Sequence, residues 1–220
     1  MRHRKPQLPS ETQETARETI MTRKIVAIVG SYRKGGIIDS AIDEILSGAM
    51  ASGGETEKIY LIDQQIESCR NCRICTQEAE ARRGLCVIQD DVDMILNKIE
   101  SADVIVLGSP INFGTVTAVM KKFMERLICY AYWPWGTGAP KVRSQLRTKQ
   151  AVVVTSSAAP EIVARFSSNI VKLLKQAAGL LGAKKTEVLY IGLAAMEPKP
   201  AISNRIRKKA TRLGGKLARE

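Results

Sequence analysis

The 220-residue chain is 45% hydrophobic and 25% charged, which suits a soluble globular unit with a full core, and no run of eighteen apolar residues predicts a membrane span. Its net charge of +12 belongs to the two ends: residues 199–220 carry eight Lys/Arg against one acid, residues 1–24 carry six against three, and 25–198 holds only +2, which argues against nucleic-acid binding by the body of the protein. One histidine, His3, leaves little room for Ser-His-Asp hydrolysis, histidine acid–base chemistry or His-rich metal sites.

Residues 1–22 are polar and contain Pro6 and Pro9, so a flexible extension is expected there. With no apolar stretch behind its basic residues this segment does not read as a secretory signal, and a cytoplasmic location is expected. KIVAIVG, 24–30, is a continuous apolar run, the pattern of a strand buried on both faces. Ile38, Ala41, Ile42, Ile45, Leu46 and Ala49 then recur at helical spacing. EKIYLI, 57–62, is a second strand, and a cysteine-rich loop follows at 68–87. Asp90 or Asp91 can cap a helix running to about Glu100. DVIVLGSP, 103–110, is a third strand, and Val116, Val119, Met120, Phe123 and Leu127 mark another helix, with Cys129 beyond it expected to be a buried apolar residue. The large aromatics of YAYWPWGTGAPKVR, 130–143, need cover from a second subunit or a lid position over a ligand. AVVVTSS, 151–157, is a fourth strand. Pro160 opens one helix carrying Ile162, Phe166, Ile170, Leu174, Ala177 and Leu181. EVLYIG, 187–192, is a fifth strand, and a basic helix follows Pro200. Strands alternating with helices predict an α/β domain over 23–198 with a parallel sheet, and 199–220 as a basic C-terminal helix packed on it.

Such sheets bind ligands beyond the carboxyl ends of their strands. After the first strand, GSYRKGGIIDSA offers the Ser31 hydroxyl, the Arg33 cation, small residues at Gly35 and Gly36, and the free amides of a helix start, together a phosphate site. After the third, GSPINFGTVTA places Asn112 and Phe113 over the sheet edge, with Pro110 fixing the turn and Gly114 freeing it. After the fourth, TSSAAP around Ser156 admits a close ligand.

Cys69, Cys72, Cys75 and Cys86 form a C-x2-C-x2-C set with a fourth cysteine after ten intervening residues. Three thiolates around one point and a remote fourth make an iron–sulfur arrangement; zinc prefers two C-x2-C pairs or histidines, and a metal-free loop is the remaining alternative.

GSYRKGG and GSPINFG together resemble the NAD(P)H-dependent FMN reductases over roughly residues 24–195, and GLCVIQDD, 84–91, resembles the iron–sulfur flavoproteins among them. The resemblance implies a flavodoxin-like, doubly wound five-stranded parallel sheet of order 2-1-3-4-5. It implies FMN held by Ser31, Arg33, Gly36, Ile37, Ile38, Ser40, Pro110, Ile111, Asn112, Phe113, Gly114 and Ser156. Ile37 and Ile38 stand where relatives carry an Asn-Thr pair, so backbone amides of 36–38, with Ser40, are expected to serve the phosphate, and the amides of 111–114 the isoalloxazine ring. It further implies NAD(P)H or a ferredoxin-like donor, a quinone, flavin or protein acceptor, a 4Fe–4S cluster on the four cysteines, no catalytic side chain, and a homodimer or homotetramer. A flavodoxin-like carrier without substrate turnover is the alternative.

Overall fold

Strand β1 (Lys24–Val29) buries its last five side chains completely, because helices cover both of its faces. The computed structural model describes residues 22–79, 82–143, 147–197 and 200–220, so nearly all of the expected N-terminal extension lies outside the described residues. After β1 come α1 (Ile37–Met50), β2 (Glu55–Tyr60), α2 (Val92–Glu100), β3 (Val104–Pro110), α3 (Ala118–Arg126), β4 (Ala131–Tyr132), β5 (Lys141–Val142), β6 (Lys149–Ser156), α4 (Glu161–Ser167), α5 (Ile170–Leu180), β7 (Ala183–Ile191) and α6 (Asn204–Arg219). The main sheet runs β2-β1-β3-β6-β7 with every pair parallel, the flavodoxin-like order expected.

Period-two alternation divides the core into two layers. Ile25, Ala27 and Val29 pack toward α1 and α6, while Val26 and Ile28 pack toward α2, α3 and α5. α6 lies on α1 with backbones almost touching: a Cβ on Gly48 would meet the Thr211 carbonyl oxygen at 2.0 Å, and one on Gly214 that of Ile45 at 1.8 Å. No helix among the described residues is long and apolar enough to cross a membrane.

Two expectations need correction. The helix opened by Pro160 is two helices, because Ser168 is extended and its hydroxyl donates back to the Ala164 carbonyl, a side-chain bond that competes with helix propagation. Ile162 and Phe166 consequently lie outward, 74% and 90% exposed. The second strand ends at Tyr60, and Leu61–Asp63 turn into a short 3-10 helix. The aromatic stretch at 130–143 is a small antiparallel hairpin, β4–β5, which packs beside the cysteine loop.

Candidate functional site

The loops after β1, β3, β6 and β7 surround a cleft of about 850 Å3, within the usual range for a small-molecule site. Its base is built by close backbone approach. The Gly30 amide donates to the Gly108 carbonyl at 2.7 Å, and a Cβ on Gly30 would strike Met120 at 2.7 Å. Thr117, which caps α3, also donates its hydroxyl to the Gly30 carbonyl at 2.6 Å, so the helix start is tied to the first loop.

Within that loop the Ser31 hydroxyl accepts from the Arg33 amide at 3.2 Å, and Gly35 takes a positive φ of 73°. Gly36 precedes α1 with no side-chain cap, leaving the first-turn amides available to an anion. The buried Asp39 carboxylate accepts from the Gly35 amide at 2.5 Å, from Tyr60 at 2.9 Å and from Lys58 at 3.0 Å. Burial alone raises its pKa, but these partners outweigh burial and hold it below the ordinary value.

Ser31, Arg33, Gly36, Ile37, Ile38, Pro110, Ile111, Asn112 and Ser156 all line this cleft. Ile37 and Ile38 point their side chains into the core, so their contribution is backbone. Ser40, Phe113 and Gly114 stand outside the lining. The Ser40 hydroxyl donates to the Gly35 carbonyl and braces the loop. Phe113 and Gly114 both have positive φ, 49° and 78°, at the tip of a two-residue turn closed by Asn112 and Thr115. That turn leaves Phe113 fully exposed, away from the cleft wall. Of the amides expected to face the ring, Ile111 N donates to Ser156 O and Asn112 N to Thr115 O, so both are committed within the fold. Tyr32, Lys34, Ser157, Ala194 and Ala195 also line the cleft and were missed. The Ala pair follows the fifth strand in a run of small residues, a signal of the kind used for TSSAAP.

Cys69, Cys72, Cys75 and Cys86 line one enclosed cavity of about 20 Å3, together with Arg73 and Arg126. Left-handed backbone at Asn71 and Arg73, φ 51° and 59°, wraps the first three cysteines around it. Cys86 returns because Gly84, two residues before it, is pinned. The Gly84 amide donates to Cys129 O at 2.8 Å, and Gly84 passes so near Cys75 that a Cβ would meet its carbonyl oxygen at 1.6 Å. Arg143 donates to the Cys75 and Cys129 carbonyls, and the Trp133 amide to Thr76 O. Burial, then the neighbouring Cys86, Cys69 and Cys72, pushes the Cys75 thiol up to about 11. Cys129 is buried as expected, and burial pushes its thiol up to about 12.

Among the described residues, no set of three or more His, Cys, Asp or Glu could hold a metal ion, yet four cysteines line one cavity. A single ion must touch its donors directly, whereas a polynuclear iron–sulfur group spreads them around a wider centre. The donor chemistry fits such a group, and Arg73, whose buried Nε has no hydrogen-bond partner, also lines the cavity.

The sequence profile of NADPH-dependent FMN reductases matches residues 23–166. An iron–sulfur flavoprotein of Methanocaldococcus jannaschii is 42% identical over 103 residues, covering 47% of this chain and 51% of the relative. One from Archaeoglobus fulgidus is 32% identical over 149 residues, covering 68% and 62%. The matches thus span about half to three-fifths of these curated relatives. An FMN-dependent NADH-azoreductase of Bacillus anthracis, solved with FMN, superposes with a TM-score of 0.65 at 13% identity over 90% of this chain and 100% of that one, which shows a shared fold. The chain belongs to the NADPH-dependent FMN reductase family, on its iron–sulfur flavoprotein-like branch.

Proposed function

We propose that the protein is an FMN-dependent oxidoreductase that takes electrons from NADH or NADPH, or from a ferredoxin-like donor, and passes them to a quinone, a flavin or a protein acceptor. The observation that carries this is the cleft where the Ser31–Ile38 loop, an uncapped helix start and Asn112 meet at the carboxyl ends of β1 and β3. FMN, when bound, supplies hydride and single-electron chemistry, and a 4Fe–4S cluster on the four thiolates supplies single-electron transfer.

The chain's residues do the binding and orienting. Arg33 and the first-turn amides of α1 neutralise a phosphate, with the Asp39–Gly35 bond keeping the loop in shape. The Asn112 side chain and the walls at Pro110 and Ile111 position a flat ring against the sheet edge. Cys69, Cys72, Cys75 and Cys86, which line one cavity, would ligate the cluster. No side-chain proton transfer is required, which agrees with the single histidine. The outward apolar face of α4, with Ile162 and Phe166, is the surface on which a homo-oligomer would close.

Titration with FMN, followed by quenching of flavin fluorescence, tests the cleft, and absence of binding sinks the proposal. NAD(P)H oxidation with a quinone acceptor separates an enzyme from a flavodoxin-like carrier, which would bind FMN and show no turnover. Iron and acid-labile sulfide counts on anaerobically purified protein test the cluster, with four of each expected per chain.

A further inference from the structure

Two arginines line the cysteine cavity, and the guanidinium of each is held by other partners. Arg126, on the last turn of α3, is 4% exposed and pairs with Asp90 through two hydrogen bonds of 2.5 and 3.2 Å. It also donates to the Glu67 carbonyl at 3.1 Å and lines the cavity beside Cys86. Arg73, between Cys72 and Cys75, is stacked between Trp133 and Trp135, with 3.7 and 4.3 Å from its guanidinium carbon to the ring centres. Its Nη2 donates to the Trp133 and Pro134 carbonyls, while its buried Nε has no partner. Both line the same cavity as the four cysteines.

We propose that Arg73 and Arg126 are positioning residues that raise the reduction potential of the cluster, and that Asp90 moderates Arg126 from behind. This rests on the cluster assignment made above. Four thiolates give the centre a net negative charge, and reduction adds one more electron. Fixed positive charge beside the cluster favours that added electron, and in a partly dry cavity it acts with little screening. The tryptophan stack and the Asp90 pair explain why the two cations stay put rather than turning to water. Asp90 has the opposite sign, so it offsets part of the Arg126 effect.

The test is a mediated reductive titration of anaerobic, FMN-loaded protein with dithionite, following the cluster by electron paramagnetic resonance. Arg73→Gln and Arg126→Gln are each expected to shift the one-electron equilibrium toward the oxidised cluster by about tenfold or more, which is about 59 mV toward negative potential. Arg73→Lys should retain most of the wild-type value, and Asp90→Asn should move the potential the other way. Flavin and iron content serve as folding controls. If Arg126→Gln fails to fold, Arg73→Gln, on a loop, decides the matter. Full iron and sulfide with a wild-type potential in the Gln variants overturns the inference and leaves the cluster assignment standing. A wild-type protein without iron and sulfide overturns both.

Discussion

Arg33, on the loop after β1, and Asp39, in the first turn of α1, have opposite charges and opposite duties. Arg33 is exposed at the cleft and free to meet a phosphate, so its effect should appear in binding and not in folding. A hydrogen bond to a charged group is worth about 1.5–3 kcal/mol. Arg33→Gln is therefore expected to weaken FMN binding roughly ten- to hundredfold at low salt, with a smaller deficit at high salt, measured by fluorescence titration. Asp39 is buried and shaped by three partners, so its effect should appear in folding. Its carboxyl is held below the ordinary carboxylate pKa despite burial. The stability it contributes is therefore present above the unfolded value, about 3.9, and is lost as pH falls through the lower folded value. Asp39→Asn should cost about 1–3 kcal/mol at pH 7, and the gap from wild type should close as pH falls below about 4, read from urea unfolding across pH. Equal destabilisation at every pH would contradict this account.

At the level of elements, glycines decide two contacts. Gly214 lets α6 rest on α1, where a Cβ would meet the Ile45 carbonyl oxygen at 1.8 Å. Neither backbone can yield without moving a helix, so Gly214→Ala is expected to destabilise by about 1–3 kcal/mol or more, seen as a lower denaturation midpoint with FMN affinity per folded molecule little changed. Gly84 plays the matching part in the cysteine loop, beneath the Cys75 carbonyl. Gly84→Ala should push Cys86 away from the other three thiols, and iron bound per chain should fall by more than half while FMN binding persists. The hairpin β4–β5 belongs to the same mechanism, since Trp133 accepts from Arg73 and donates to Thr76. Its aromatics are thereby partly explained within one chain, as braces of the cysteine loop.

For the whole molecule, α3 joins the two candidate sites. Its cap Thr117 is bonded to Gly30 beside the cleft, and its last turn places Arg126 beside Cys86. Nine residues span about 14 Å, so the sites occupy opposite ends of one short rigid element. Much of this was legible in the sequence wherever the signal is local. Strands buried on both faces must be apolar throughout, so KIVAIVG and DVIVLGSP announced themselves, and the turn chemistry of GSYRKGG announced a loop that lines the cleft. What stayed hidden acts at long range. The gap before Cys86 closes through Arg143, 68 residues beyond Cys75, and the outward aim of Phe113 depends on a turn closed by Thr115. The break after α4 was missed because the apolar period runs through Ser168, while one hydroxyl bond decides locally. If FMN binds only the folded cleft, its affinity must add to global stability. At a hundredfold excess over Kd the gain is about 2.7 kcal/mol. In a chain of this size that corresponds to a rise in Tm of roughly 5–10 °C. Arg33→Gln, compared at the same FMN concentration, should show a smaller rise, whereas Gly84→Ala should show the wild-type increment from a lower start. An equal increment in Arg33→Gln would place the phosphate elsewhere.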